Sequence, residues 1–311
     1  MRLIENPEDI AQPFHHAVIT IGNFDGVHIG HQALFHEVIE RAENRGGTSM
    51  AMTFHPHPLR FLKKENRPPL ITLHEQKVEL ISKTGIDVLV VVPFDREFAS
   101  MGARDFVEKL LLERLGVKTV VVGPDYSFGK AREGTVEYLR ELAAELDFEV
   151  VVVPWIAAVG PDGERISSTR VRDVVGRGDV EYAKRLLGRN YQIRGVVEHG
   201  RDRGGKLLGF PTANIRLQDE LCPMGGVYAV IIEWRGGMYP GVANIGYSPT
   251  FDDHQFTVEV HLIDFGRDLY GEKIKVNFVR RLRGEVKFDG LDALKEQINA
   301  DVRQARELLK I

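Results

Sequence analysis

The chain has 311 residues and a single cysteine, Cys222. Without a second thiol there is no internal disulfide, which excludes the stapled secreted scaffolds and points to a reducing cytosol. No apolar run is long enough to span a bilayer. The stretch Met1–Ile10 carries acidic residues and lacks a signal-peptide core. A basic excess is missing as well. With 41 Lys+Arg against 45 Asp+Glu the formal net charge is −4, where a general nucleic-acid binder is usually basic. Internal repeats, low-complexity tracts and long linkers are also absent. These absences lead to the expectation of a cytoplasmic protein that engages neither membrane nor nucleic acid, and they leave its oligomeric state open. The composition itself, 43% hydrophobic and 28% charged, is that of an ordinary globular chain. Its length favours two domains.

The two halves differ in texture. Strand-like runs at Ala17–Ile21, Thr48–Phe54, Val88–Pro93, Thr119–Gly123 and Glu149–Pro154 alternate with helical patterns at Gln32–Asn44, His74–Lys83, Ala103–Leu115 and Val136–Leu146. Such βα alternation predicts a Rossmann-like parallel sheet covered on both faces, with ligands at the carboxyl ends of its strands. A short helix, Val180–Leu187, ends at Gly188. Beyond it, β-rich runs punctuated by Gly and Pro (Gln192–Val197, Gly226–Glu233, Met238–Ile245, Phe256–Asp264, Lys273–Arg281) predict a small antiparallel β-barrel, closed by a helix at Leu291–Leu309. The expected domains are residues 1–187 and 188–311.

The first predicted strand runs into Gly22-Asn23-Phe24-Asp25-Gly26-Val27-His28-Ile29-Gly30-His31 and then into a helix. Glycines at a strand-to-helix turn expose backbone N–H groups beside a helix N-terminus, a ready site for phosphate. His28 and His31 share one face of the first helical turn, where an imidazole pair suits stabilisation of charge on a breaking phosphate bond. Zinc ligation would require a third ligand, and the helical HExxH spacing is absent. Three later segments have the same flavour. Phe54-His55-Pro56-His57-Pro58 and Gly123-Pro124-Asp125-Tyr126 each follow a predicted strand, and Ile166-Ser167-Ser168-Thr169-Arg170-Val171-Arg172 sets hydroxyls and arginines at a helix start. Taken singly, they read as a stiff structural loop, a polar βα loop and an N-cap.

Together these strings resemble the nucleotidyltransferase superfamily in the GxFDGxHxGH form used by bacterial FMN adenylyltransferases, with its PHP and SSTxxR elements. The resemblance implies catalytic roles for His28 and His31. It also implies nucleotide or phosphate contacts from Gly22, Phe24, Asp25, Gly26, Gly30, His57, Asp125, Ser167, Ser168 and Thr169, with Arg172 as charge partner of the triphosphate. Arg170 is expected in solvent.

In the second half, Leu208-Gly209-Phe210-Pro211-Thr212-Ala213-Asn214-Ile215 offers two oxygen-bearing side chains of the kind Mg²⁺ prefers, beside a stiffening Pro211 and a Gly209 that permits close approach to phosphate. The string resembles the GFPTAN motif of riboflavin kinases, which makes Thr212 and Asn214 the metal ligands. Phe256 to Leu262 alternates as a strand with Glu259 on the face opposite its apolar row. By default that is a solvated glutamate. The run through Asp268-Leu269-Tyr270-Gly271, however, resembles the kinase family's ExHxxxFxxDLYG element, whose glutamate is the catalytic base, and His261 and Asp264 are then structural. One departure is Gly204-Gly205-Lys206-Leu207, where many kinases have Arg-Gly-Arg; a lysine supplies a point charge without bidentate geometry.

Both resemblances together cover the chain and imply bifunctional flavin-cofactor synthesis. Riboflavin is phosphorylated by Mg²⁺·ATP to FMN, and FMN is adenylylated by ATP to FAD with release of pyrophosphate. ATP, riboflavin and FMN are the implied small-molecule partners. Competing readings are a nucleotidyltransferase with another acceptor, which the attached GFPTAN segment opposes, and a flavin-sensing barrel that no longer reacts, which the joint presence of Thr212, Asn214 and Glu259 opposes. A flavin-dependent redox enzyme would hold its flavin tightly and turn over an electron donor.

Overall fold

The computed structural model describes residues 1–62, 67–157, 163–198, 210–247 and 256–311. The chain divides into two compact units, Met1–Ser168 and Thr169–Ile311. The first is built on six strands: β1 (Arg2–Ile4), β2 (Ala17–Ile21), β3 (Ser49–His55), β4 (Val88–Pro93), β5 (Val117–Val122) and β6 (Glu149–Val152). They lie in the order β1-β4-β3-β2-β5-β6 with every neighbouring pair parallel. The helices of this unit are α1 (Ile29–Asn44), α2 (Pro58–Leu62), α3 (His74–Ser82), α4 (Arg96–Ala99), α5 (Ala103–Asp105) and α6 (Val136–Leu146). A wider π-helical stretch, Phe106–Arg114, continues α5. The predicted parallel sheet is therefore present. Its edge strand β1, three residues long, is too short to show a period.

The central strands are buried on both faces, as a sheet covered by helices requires. Successive residues alternate between two cores. Ile19, Ile21, Met50, Met52, Val120 and Val122 pack with Leu139 and Leu142 of α6, while Val18, Ala51 and Val121 pack with Phe35 and Val38 of α1. The chain passes from β2 outward to β3 and β4, then returns to lay β5 on the other side of β2. The carboxyl ends of β2 and β5 thus flank a topological switch point, where open α/β sheets bind ligands.

In the second unit β7 (Tyr191–Glu198), β8 (Ala213–Arg216), β9 (Gly226–Trp234), β10 (Gly237–Tyr247), β11 (Phe256–Leu262) and β12 (Lys273–Arg283) close an antiparallel barrel, ordered β10-β11-β8-β7-β12-β9. Its interior is filled by cross-strand pairs such as Val260 with Ala213 and Phe278 with Tyr191. Three helices accompany it: α7 (Ser168–Gly176), α8 (Val180–Leu187) and α9 (Leu291–Leu309). The expected boundary near Leu187 assigns α7 and α8 to the first domain, whereas the contacts group the chain from Thr169 onward with the barrel. There α8 packs on β7 and β12 through buried Val180, Ala183, Leu186 and Leu187.

Helix α9 covers an outer patch of the barrel, with Ala305 against Val227, Ala229, Val242 and Ile263. A buried ion pair holds it there. Asp301, 3% exposed, accepts from Arg283 Nε (3.0 and 3.1 Å) and Nη2 (2.8 Å) of β12 and from Gln297 Nε2 (2.9 Å). Arg306 of α9 also pairs with the exposed Asp264 at 2.6 Å. Removing one partner of a buried pair strands the other charge, so Asp301→Ala is expected to destabilise the barrel unit by about 3 kcal/mol. Denaturant unfolding followed by Trp234 fluorescence measures this, and a change below about 1 kcal/mol would show that α9 is held by its apolar face alone.

Candidate active sites

The glycine turn of the first unit is strained and pinned. Phe24 (φ 47°), Gly26 (φ 88°) and Val27 (φ 42°) all have positive φ. For Phe and Val this is an uncommon conformation that persists only where surroundings enforce it. Enforcement comes from Asp25, 3% exposed. Its carboxylate accepts from Ile71 N (3.0 Å), Thr72 N (3.1 Å) and Thr72 Oγ1 (3.3 Å), and that hydroxyl accepts in turn from Gly26 N at 3.1 Å.

Helix α1 begins directly after the turn. His28 is its N-cap, with Nδ1 accepting from His31 N at 3.3 Å. That bond assigns Nδ1 as an acceptor, which leaves Nε2 as the donor nitrogen. The two imidazoles stack, with centroids 3.5 Å apart and planes 17° from parallel. A Cβ at Gly30 would come within 3.2 Å of the His28 ring, so a larger residue there would press on that imidazole.

A cleft of about 240 Å³ opens at the switch point. It is lined by Gly22, Phe24, His28, Gly30 and His31 from the turn, by Asp125 after β5, and by Ser167 and Ser168 at the start of α7. Sequence-distant candidates thus meet at one sheet edge. Ser168 Oγ donates to the carbonyl of Asp25 at 2.8 Å, tying the SST segment to the turn. Asp125 meets Arg165 at 2.6 Å, and the Arg165 guanidinium lies 4.3 Å over the ring of Trp155. Burial pushes the Asp125 carboxyl up, but the hydrogen bond and charge of Arg165 outweigh it and hold the group below its ordinary range. Arg165 and Trp155 were missed in the sequence, because only the short Ala157–Arg165 bridge brings them together at the cleft.

Other candidates are not among the residues that line this cleft. Asp25 and Gly26 lie beneath the turn in the network above. His57, 8% exposed, starts α2: its Nδ1 accepts from Leu59 N at 3.2 Å and its carbonyl from Arg60 N and Phe61 N. His57 followed by Pro58 is an N-cap and N1 pair whose capping signal was available in the sequence. Thr169 and Arg172 lie on α7 in the second unit. Arg170, expected in solvent, is instead half-buried between Asp173 (3.7 Å) and the Tyr182 ring (5.6 Å).

On the barrel, Gly209 and Lys206 lie outside the described residues. Pro211 precedes β8, and its carbonyl meets His261 Nδ1 at 2.9 Å, which ties β11 to the Pro-Thr-Ala-Asn segment. Asn214 and Glu259 are direct cross-strand partners, and Thr212 immediately precedes β8. Asn244 of β10 is the partner of Glu259 on its other flank. The row Asn214, Glu259, Asn244 is a property of register, so Asn244 carried no signal in the sequence. Burial pushes the Glu259 carboxyl above its ordinary value, which distinguishes it from a plainly solvated strand glutamate and moves it toward the range useful to a general base. Among the described residues no group of three or more His, Cys, Asp and Glu could hold a metal. Hard oxygen donors from Thr212 and Asn214 beside a carboxylate do fit Mg²⁺ carried on nucleotide phosphates, an ion usually held by few protein ligands.

A glycine-rich strand–turn–helix on a parallel sheet, joined in one chain to a barrel with a half-buried carboxylate between two asparagines, fits a nucleotide-using transferase of two domains. The FAD synthetase family matches residues 10–170 and the riboflavin kinase family residues 187–309. The bifunctional riboflavin kinase/FMN adenylyltransferase of Escherichia coli (strain K12) is 40% identical over 309 residues, covering 99% of this chain and 97% of that protein. Its counterpart in Bacillus subtilis (strain 168) is 40% identical over 294 residues, 93% and 91% of the two chains. A crystal structure described as a macrolide-efflux protein from Streptococcus pneumoniae superposes with TM-score 0.87 at 34% identity over 98% of each chain. The chain belongs to the bifunctional riboflavin kinase/FMN adenylyltransferase family.

The Asp25 network also has a structural consequence. Asp25→Ala leaves buried donors at Ile71, Thr72 and Thr72 Oγ1 without their acceptor and is expected to destabilise the first unit by roughly 2–3 kcal/mol. Calorimetric unfolding checks this. An unchanged first-unit transition would free Asp25 for a role toward ligand.

Proposed function

We infer that the chain carries out both steps of FAD synthesis: ATP-dependent phosphorylation of riboflavin in the barrel domain, and adenylylation of FMN with release of pyrophosphate in the α/β domain. The observation that carries the reading is the presence in one chain of two separate constellations, the His28–His31 turn at the switch point and the Asn214–Glu259 pair on the barrel. The efflux description belongs to the S. pneumoniae protein. Among the described residues no helix is long and apolar enough to cross a membrane.

In the kinase step Glu259 accepts the proton of the ribityl 5′-hydroxyl as that oxygen attacks the γ-phosphorus of ATP, and ADP leaves. Thr212 and Asn214 would hold Mg²⁺ on the ATP phosphates, where the ion neutralises charge on the transferred group. Pro211, fixed through His261, sets the backbone ahead of those ligands.

In the adenylylation step the FMN phosphate oxygen attacks the α-phosphorus of ATP and pyrophosphate departs, with no covalent enzyme intermediate. With the Ser168 hydroxyl donating to the Asp25 carbonyl, the His28 Nε2–H, the Phe24 amide and the Ser167 hydroxyl donate to the phosphates. They stabilise charge that grows on the leaving oxygen. Asp125, held by Arg165, presents a carboxylate edge to the nucleoside. The lone Cys222 thiol, its pKa pushed up by burial, fits an inert residue of a reducing cytosol.

Incubation of the purified chain with riboflavin, ATP and Mg²⁺, resolved by chromatography, is expected to yield FMN and FAD. FMN alone would assign the first domain another acceptor, and neither product would remove the reading. His28→Ala is expected to lower FAD formation from FMN about 10²–10³-fold, the usual loss for one transition-state donor, while riboflavin phosphorylation survives. Equal loss of both activities in folded protein would contradict separate sites. Glu259→Gln keeps shape but accepts no proton, so kinase turnover should fall roughly 10²–10⁴-fold with FMN-to-FAD conversion unaffected. Unchanged kinase turnover removes Glu259 from the mechanism.

A further inference from the structure

Lys77 of α3 is buried at 6% exposure, in a unit where the sequence reading gave it no role. Its ammonium donates to the carbonyl of Asn23 at 3.1 Å and to Thr53 Oγ1 at 3.0 Å, and Thr53 Oγ1 itself donates to Asn23 O at 3.2 Å. Asn23 O therefore accepts twice from below the glycine turn. In a trans peptide the next N–H points opposite to the carbonyl, so fixing Asn23 O aims the amide of Phe24 the other way. Gly22 and Phe24 on either side line the cleft. The same ammonium places a positive charge under a turn built to receive phosphate.

We infer that Lys77 is a positioning residue for adenylyl transfer, holding the Asn23 peptide so that the Phe24 amide meets the nucleotide phosphates and adding its charge beneath them. This rests on the adenylyltransferase reading above. A neutral side chain would fill the same space without desolvating an ammonium, so the charge is kept at some loss of stability. Burial pushes the Lys77 pKa down to about 8, opposed by the charge of Asp25 on the turn. Between that value and the ordinary lysine value the unfolded chain binds the extra proton, so native stability from this group rises with pH while its charge disappears. The other titratable groups facing it are His55 at the end of β3 and His74 on α3, with rings 4.3 Å apart. Burial, then Lys77, lowers His55, with Glu5 opposing. Burial, then His55 and Lys77, pushes His74 to about 4, with Glu75 opposing. Both imidazoles are neutral near pH 8, which leaves Lys77 as the member of this pair-and-lysine group that titrates there.

The test compares FAD formation from FMN, ATP and Mg²⁺ by the full chain and by Lys77→Met, with riboflavin phosphorylation in the same preparations as internal control. Wild-type FAD formation should decline as pH rises through about 8. Lys77→Met should lower kcat/KM for FAD formation ~10–100-fold at pH 7, abolish that alkaline decline and leave kinase turnover within about twofold, in protein that unfolds no earlier than wild type. Folded Lys77→Met that forms FAD at the wild-type rate overturns the inference. Should that variant lose its first-unit unfolding transition, Thr53→Val decides. Removing one acceptor of the ammonium should move the alkaline decline to lower pH, which a merely structural role would not do, and an unmoved decline overturns the inference. Wild-type protein that forms no FAD refutes the adenylyltransferase reading, and this inference with it.

Discussion

The geometry of the first domain depends on a buried carboxylate. Asp25 accepts from the backbone of Ile71 and Thr72, and Thr72 returns its hydroxyl to Gly26. This circuit lets Phe24 and Val27 stay at positive φ, a conformation that costs of order 1–3 kcal/mol per residue and survives only when over-determined. From that turn follow the position of His28 as N-cap and the stacking of its ring on His31. A turn of ordinary φ would not present amides and imidazoles to one point at the end of β2.

The second domain solves a different problem with register. Antiparallel closure alternates residues between the inside and the outside of the barrel, so Val258 and Val260 fill the core while Glu259 stands between Asn214 and Asn244 on the other side. A carboxylate partly withdrawn from water beside two neutral amides is more basic than one in solvent. That environment suits proton acceptance from a hydroxyl. Helix α9, held by Asp301 and Arg283, covers another stretch of the same outer surface, around Val227 and Val242.

The parts of the fold that the sequence disclosed are those governed by local pattern. Mostly apolar strands such as β2 and β4 and the periodic helices α6 and α9 appear in the structure with the expected bounds. Elements with little pattern were missed: β1 has three residues and β8 four, the latter close behind a proline. The segment Ala103–Leu115 reads as an ordinary helix, yet most of it winds with a π-helical pitch, a difference of one residue per hydrogen bond that periodicity over so short a run does not resolve.

Residue types and their spacing alone determined that this chain has a glycine turn with two imidazoles between a strand and a helix, a segment with two oxygen-bearing side chains, and a strand glutamate opposite an apolar row. The reason is that each is a local arrangement within about ten residues. Tertiary structure alone decided which of these groups are bound into the scaffold and which line a cleft. Asp25 became an anchor, and Arg165, Trp155 and Asn244 neighbours of the candidate sites. Lys77 came to rest under a carbonyl 54 residues earlier in the chain. Such pairings are set by strand order and register, which bring together groups whose separation along the chain carries no pattern.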